Sequence, residues 1–544
     1  MPVCRSSWIV DPVLASWLQA HFPSAMNGNE LNGSDPSIQA TTSIDVSFLG
    51  ITTLEGLQDF ISLTDLQARG NPITNQFGVP WSVRSLNLDD CQLGGTFYVF
   101  HSMQVLHIAN NHITTLDLSQ NTEDLQILVA SNNQISTINY GATMSPWMYY
   151  LDLSHNLLTS ASFPGAPAGY VDVSYNQLTE FPVLSGNNGM NTDPLFISHN
   201  QITSVGDLSY NATLTQLDLS YNPLTGGIVE LPKGLTWLRM TNTQLPCMPW
   251  VPWTLQTMYC TGSLFTCLPN LPPGLSTTAA NFGFTPTVCG TASPCYIAPP
   301  RLRLKLLLQG PWDEQALLMK DGLRQQGLLP TTEPYSALGY PPLGTSVPLT
   351  VPASVFSTTG PNAIVDWVLV ELRLGNGMVD RQPALLQRDG DVVCTNGDSL
   401  LSFNQARGNY RIAVRHRNHL GAMTWWEHTL WSGGSPEFVD MRTQAMIGYV
   451  GGTAIINGRN MLWAGDVNRD RTIKYTGASN DRDPILVTVG GTVPTNVVHG
   501  VYRTEDVNMD GDVKYTGANN DRDPILFNIG GTTPTTTRSQ TPMF

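Results

Sequence analysis

One short apolar pattern returns again and again along the first half of this chain and leaves few folds open to it. The segments LTDLQARGNPIT, VRSLNLDDCQL, MQVLHIANNHIT, LQILVASNNQIS, MYYLDLSHNLLT, GYVDVSYNQLT, DPLFISHNQIT, LTQLDLSYNPLT and LTWLRMTNTQL all fit L-x-L-x-x-N-x-L, and TSIDVSFLGIT and LQTMYCTGSLF fit it with losses. The position usually held by asparagine falls at Leu49, Asn71, Cys91, Asn111, Asn133, Asn156, Asn176, Asn200, Asn222, Thr243 and Ser263. The period is roughly 20 to 24 residues over about eleven turns. A unit of that size cannot bury its apolar side alone, so neighbouring units must stack and share one core. Within a unit, alternate residues such as Leu151 and Leu153 point inward from a short strand. The asparagine turns inside the coil, where its amide can satisfy backbone groups that the tight turn leaves unpaired.

This pattern resembles the leucine-rich repeat family, and the resemblance implies a mainly β solenoid of short parallel strands over residues 41–298. The convex side varies. LEGLQDF is compatible with helix, whereas LPCMPWVPW and LPNLPPGL carry too much proline for it and should run extended. Ahead of the repeats, DPVLASWLQAHFP has apolar residues at helical spacing, with Asp11 to cap it and Pro12 in its first turn. Residues 1–40 are therefore expected to form a helical cap over the open end of the solenoid.

Residues between the inward leucines face the concave side. One lane runs Asp45, Gln67, Asn87, His107, Val129, Asp152, Asp172, Phe196, Asp218, Arg239, Tyr259; a second includes Tyr150, Tyr170 and Trp237; a third holds His155, Tyr175, His199 and Tyr221. Aromatic rows suit sugar rings or peptide side chains, and the adjoining aspartates can accept hydrogen bonds from hydroxyls or amines. Tyr150, Tyr170, Trp237, Asp152, Asp172, Asp218 and Arg239 are thus the candidates for holding a protein or glycan. The competing reading, that such aromatics pack on one another over the strand ends, is the preferred one for the third lane. His155 and His199 lie on different coils, which is no recognised metal-binding spacing.

Composition narrows the partners. The formal net charge of −15 and pI near 5.0 argue against nucleic acid or an anionic membrane surface. No apolar run approaches a bilayer span, so membrane insertion is not expected. With 48 Gly, 38 Pro and only 13% charged residues, turns and short strands are favoured over long helices. Met1–Ala20 lacks the basic and apolar regions of an export signal. A secreted or cell-surface location is expected from the modules, with a cytosolic protein as the alternative. Among the cysteines, Cys289 with Cys295 is the preferred pair; Cys247 with Cys267 can also pair, and Cys91, Cys260 and Cys394 read as buried or single thiols.

Residues 299–440 change character, with RLRLKLLL, AIVDWVLVELRL, ALLQRDGDVV, SLLSFN and NYRIAVRHR as short β-prone runs between turn signals. They suggest an antiparallel β-sandwich, with DEQALLMKDGLRQQGLL as one helix or an irregular excursion. The stretches LLLQGPWD, TTEPYSALGY, AIVDWVLVELR, LLQRDGDVV and GNYRIAVRHRNHLGAM resemble a β-sandwich region of large secreted bacterial surface proteins. Arg415, His416, Arg417 and His419 with Asp389 and Asp391 look like chemistry. Strand alternation, however, puts Arg415 and Arg417 on one side and His416 on the other, so a strand with one solvated face is expected instead.

Residues 441–544 hold a second repeat: GDVNRDRTIKYTGASNDRDPILVTVGGT recurs as EDVNMDGDVKYTGANNDRDPILFNIGGT. The opening D-x-N-x-D-G-x-V resembles the calcium loop of dockerin modules and, more distantly, the EF-hand. Carried over, the resemblance implies Ca2+ on Asp466, Asn468, Asp470 and the Thr472 carbonyl, and on Asp506, Asn508, Asp510 and the Asp512 carbonyl, with Ile473 and Val513 as anchors. Arg471 stands where the second loop has Gly511, and Gly477 and Gly517 stand where an acidic residue is expected. The sites are expected to close through the later Asp481 and Asp483, or Asp521 and Asp523, with an Asp before Pro capping the helix that follows. No hydrolase, zinc-protease or phosphate-loop motif occurs. The sequence therefore reads as a non-enzymatic binding or adhesion protein with structural calcium; the alternatives are a dockerin-like assembly module and a carbohydrate-active enzyme with an unrecognised site.

Overall fold

The computed structural model describes residues 6–539 except 77, 100–102, 122–123, 141–147, 165–168, 186–191, 210, 212, 273, 344–346, 376, 406, 432–434, 445 and 448–452. The chain divides into two units, Met1–Tyr296 and Ile297–Phe544.

The first unit is the expected solenoid. Its strands Ser43–Asp45, Asp65–Gln67, Ser85–Asn87, Val105–His107, Ile127–Val129, Tyr150–Asp152, Tyr170–Asp172, Leu195–Phe196, Gln216–Asp218, Trp237–Arg239 and Thr257–Tyr259 form one 11-stranded sheet. Every neighbouring pair runs parallel, with like positions of successive repeats side by side. The middle residue of each full strand, such as Leu106, Leu128, Leu151, Val171 and Leu217, is buried in one continuous core. That is the shared burial which makes stacking obligatory.

Two features of each coil turn the chain out of its strand. The asparagine points inward: Asn156 Nδ2 donates to the carbonyls of Ala130, Leu153 and Ser154 at 3.0, 3.0 and 3.2 Å, and its Oδ1 accepts the Ile135 amide at 2.9 Å. Asn111, Asn133, Asn176, Asn200 and Asn222 repeat this arrangement. The residue just before it is left-handed throughout. Phe48, Asp90, Asn110, Asn132, His155, Tyr175, His199, Tyr221 and Asn242 have φ between 53 and 59°, and Gly70 and Gly262 complete the column at 69 and 78°.

The N-terminal helix Pro12–His21 forms as expected. Asp11 Oδ1 accepts the amides of Val13 and Leu14, while its Oδ2 takes the Thr52 amide and hydroxyl. One carboxylate thus caps the helix and ties it to the first coil, and Leu14 and Leu18 join the solenoid core. LEGLQDF contributes a single 3-10 turn, Leu57–Asp59.

The cysteine expectation is corrected. Cys267 bonds Cys289 and Cys247 bonds Cys295, with Cα separations of 5.0 and 5.1 Å. A solenoid brings together residues one period apart, not residues close in sequence. Cys267 and Cys289 are 22 apart and Cys247 and Cys295 are 48 apart, about one and two coils. Cys91 and Cys260 are buried free thiols, and Cys394 is free and half-buried.

In the second unit the strands follow the order Leu401–Ser402, Arg301–Lys305, Asp391–Val393, Gly377–Gln387, Ile364–Leu374, Gly408–Arg415, Ala422–Thr424 and Met446–Ile447. These neighbours pair antiparallel, as expected; Glu437–Asp440 departs from that by running parallel beside Arg301–Lys305. The central strand IVDWVLVELRL is buried along nearly its whole length, which explains its almost unbroken apolar run. The segment DEQALLMKDGLRQQGLL forms one helical turn, Gly322–Gln325, and the 3-10 turns Ala353–Ser357 and Gly360–Asn362 follow before the long strand Ile364–Leu374.

The duplicated segment folds as two loop-helix units with helices Arg482–Thr488 and Arg522–Asn528. Ile473 and Val513 are fully buried in a shared core with Ile485 and Ile525. The strand after each helix pairs with the loop of the other copy: Val497–His499 with Asp512–Lys514, and Thr537–Ser539 with Thr472–Lys474. Thr476 and Thr516 donate reciprocally to the carbonyls of Pro534 and Pro494.

Candidate functional site

On the concave face the rungs line up the expected residues. Tyr150 and Tyr170 stack with ring centroids 4.4 Å apart and an interplanar angle of 4°. Tyr170 continues to Phe196 at 5.5 Å, Phe196 to Trp237 at 6.4 Å, and Trp237 to Tyr259 at 6.0 Å. Phe196 and Tyr259 therefore extend the aromatic set; both were visible in the first lane, but only the register shows that they bridge to Trp237. All five rings are half-buried.

The aspartates do two jobs. Asp152, Asp172 and Asp218 each use Oδ1 to accept the amide two residues on, at 2.9, 2.8 and 2.8 Å. One oxygen of each is thus spent on the turn out of the strand. Asp172 is held above the usual carboxylate range, by burial first and then by the neighbouring Asp152 charge, and Tyr170 Oη donates to its Oδ2 at 3.3 Å. Asp218 is buried, and its Oδ2 lies 3.9 Å from Arg239 Nη1, which is largely exposed. Burial and the charges of Asp172 and Tyr150 push the Tyr170 hydroxyl upward, so it stays a neutral donor.

The third lane packs on itself. His155, Tyr175, His199 and Tyr221 form a face-to-face ladder with centroids 4.1, 4.0 and 4.1 Å apart. Their left-handed backbone projects the side chains side by side along one rim.

In the C-terminal loops the structure separates the two late aspartates. Asp481 turns back into the first loop, accepting the amides of Val467, Asn468 and Lys474 at 2.8, 3.2 and 2.8 Å. Asp521 does the same for Val507, Asn508 and Lys514. Asp483 and Asp523 instead lie outside, half-exposed and bonded to Arg482 and Arg522. Nor does an aspartate cap the helices. Asn480 and Asn520 accept the amides of Asp483 and Asp523, whose carboxylates take the asparagine Nδ2 in return. The amide side chain can donate and accept at once, which a carboxylate cannot.

Asp466 sits at the loop centre, 6% exposed, with Oδ1 lacking any hydrogen-bond partner. Burial and the Asp470 charge push it up to about 7, and burial with the Asp466 charge pushes Asp481 up to about 8. Asp506 and Asp521 reach about 7 and about 8, with burial the leading cause. Asp470 and Asp510 accept the amides of Thr472 and Asp512, and Asn468 and Asn508 accept those of Asp470 and Asp510. Among the described residues no three His, Cys, Asp or Glu side chains converge as a metal cluster. The donor set is two or three carboxylates with amide and backbone oxygens, all hard ligands whose chemistry fits a divalent cation of the calcium type; in the second loop Lys514 also pairs with Asp510 and Asp512, at 3.4 and 3.1 Å. Arg471 adopts φ 71° where Gly511 has 86°, so the loop shape is kept despite the lost glycine.

The Arg415–His419 expectation is corrected. The strand ends at Arg415, so alternation stops there, and His416 and Arg417 both turn onto Asp366. His416 Nε2 and Arg417 Nε reach Asp366 Oδ2 at 3.1 and 2.8 Å, and Tyr502 Oη donates to Oδ1 at 2.6 Å. His419 accepts the Gly310 amide at 3.0 Å, and Asn418 donates to the Asp506 carbonyl at 2.7 Å. These groups are buried rather than solvated, and they brace the second loop. Asp389 and Asp391 pair with Lys305 at 3.2 and 3.0 Å, and Arg415 with Glu371 at 2.8 Å.

Residues 210–231 match the family described as Leucine Rich repeat. The chain is similar to lumican of Gallus gallus, 27% identical over 257 residues, covering 44% of this chain and 69% of that protein. It is likewise similar to lumican of Bos taurus, 27% identical over 240 residues, covering 37% and 64%. Among solved structures it resembles YopM, a leucine-rich effector protein of Yersinia pestis, at 21% identity and TM-score 0.36, covering 43% of this chain and 64% of that one. It also resembles the functional domain of InlJ from Listeria monocytogenes, at 20% identity and TM-score 0.31, covering 50% and 70%. The chain spans about two thirds of the length of these proteins.

Proposed function

We propose that this leucine-rich repeat protein of solenoid architecture is an extracellular or cell-surface binding or adhesion protein, holding a protein or glycan on the concave face of its repeats. The observation that carries the reading is the run of aromatic contacts from Tyr150 to Tyr259, which passes over one rung without a ring, Gln216–Asp218, through the contact of Phe196 with Trp237. Rigid half-buried rings lose little entropy on contact, and Asp152 Oδ2, together with Asp172 Oδ2 on exchange of its long Tyr170 bond, can accept hydroxyl or amine donors. Protein and glycan arrays probed with the whole chain test it. The double variant Tyr170→Ala/Trp237→Ala should bind at least about tenfold more weakly, in line with aromatic hot spots. A ligand whose affinity ignores that variant sinks the concave-face reading.

The second unit, in this proposal, carries structural Ca2+ on Asp466, Asn468, Asp470, Thr472 and Asp481, and on Asp506, Asn508, Asp510, Asp512 and Asp521. The unpartnered Asp466 oxygen supports it. Calorimetric titration should show uptake at about millimolar affinity or tighter. Asp481→Asn together with Asp521→Asn should abolish it, and Asp483→Asn with Asp523→Asn should not. Without metal, carboxylates raised on folding bind more protons folded than unfolded, so stability falls as pH rises from about 4 toward 8. In chelator, the second unit should therefore melt lower at pH 8 than at pH 5, and calcium should reverse that order. A flat titration with the same pH trend in both solutions removes the metal.

A further inference from the structure

Beside the strand Gly408–Arg415 run two short antiparallel strands, Ala422–Thr424 and His428–Leu430. Their registers do not join. Ala413 pairs with Met423 and Tyr410 with His428, so residues 411–412 face residues 424–427, and two extra residues bulge from the sheet. The bulge is pinned by Thr424 Oγ1, which accepts the Ile412 amide at 3.1 Å and donates to the Trp426 carbonyl at 2.8 Å. It carries Trp425 and Trp426, exposed by 49 and 70%, and Trp431 follows the second strand at 53%. None of these three indoles stacks on another described aromatic ring.

We infer that this bulge is a second binding site, a platform for a neutral polysaccharide of pyranose units. Holding indoles in water is unfavourable, and a register break fixed by its own hydrogen bonds keeps two of them there. The two bulge rings expose roughly 180–300 Å² between them, well below the about 800 Å² per partner of a stable protein interface. That area suits a few sugar rings, whose flat apolar faces stack on indole. Charge points the same way: Glu427 beside the rings and Glu437 across the His428 contact disfavour phosphate or an anionic headgroup. Glu427 and the exposed Asn409–Thr429 hydrogen-bonded pair offer partners for sugar hydroxyls. The site is built from residues of the second unit alone.

The test is affinity electrophoresis of the full chain in native gels cast with hydroxyethylcellulose, soluble starch, xylan or galactomannan. At least one polymer should retard the protein, Trp425→Ala/Trp426→Ala should restore free mobility, and Tyr170→Ala/Trp237→Ala should remain retarded. Circular dichroism melting checks that both variants fold. Unchanged mobility in all four polymers overturns the inference, as does retardation that survives loss of both bulge tryptophans or vanishes only with the concave-face variant. It also fails if those tryptophans are needed instead for a dimer in sedimentation or for binding vesicles of phosphatidylcholine.

Discussion

Asp366→Ala should unfold the second unit or leave it barely stable, because the change removes about 3–5 kcal/mol by stranding Arg417 as a buried, unpaired charge. Asp366 is wholly buried and serves four donors: the Trp367 amide, Tyr502, His416 and Arg417. Burial alone would raise its pKa, but Arg417, His416 and Tyr502 outweigh it and hold the carboxyl well below the usual range. A carboxyl lowered on folding contributes stability that is full above its unfolded value of about 3.9 and is lost as pH falls through its folded value. Acidification from pH 7 to 4 should therefore leave this pair intact. Denaturant unfolding of Asp366→Ala and of Asp366→Ala/Arg417→Met measures the effect. The double variant should recover much of the loss, since it no longer buries a lone guanidinium. A loss under about 1 kcal/mol in the single variant would mean that the network is not what holds the unit together.

The second large effect belongs to the asparagine column. Asn156→Ala removes one acceptor and a donor shared among three carbonyls, all buried. With about 1–3 kcal/mol for each stranded buried group, a cost of about 2–4 kcal/mol is expected. Because repeats communicate only with their neighbours, the break should loosen the array locally before it unfolds globally. Hydrogen exchange should show the Ile135 amide and its coil opening first, with the helix-capped end still protected. His155→Asn, one residue earlier, should be neutral or stabilising, because asparagine tolerates the left-handed conformation that His155 adopts. Equal effects at 155 and 156 would contradict the division of labour between those two positions.

The inward leucines and asparagines were legible because they repeat by identity as well as by spacing. The left-handed column beside them was not: Phe48, Gly70, Asp90, Asn110, His155 and Tyr175 share a conformation and no chemistry. Concave-face candidates followed from alternation alone, yet alternation misled at His416, one residue beyond the end of its strand. Asp366 lay hidden inside AIVDWVLVELRL, where an acid in a largely apolar run gives no sign of the arginine 51 positions on that neutralises it. Proximity in sequence suggested Cys289 with Cys295, whereas the solenoid period governs who meets whom. The duplicated loops were recognisable from their alternating oxygens. Which late aspartate turns inward depended on where the helix begins, and that was set by Asn480 and Asn520.

The crossed strands of the C-terminal duplicate make its two copies obligate companions. Val497–His499 completes the copy that follows it, and Thr537–Ser539 reaches back to complete the copy before. Deleting either one deprives the survivor of an edge partner, so a lone copy should be unable to fold, and gene-level gain or loss of this element is expected to proceed by pairs.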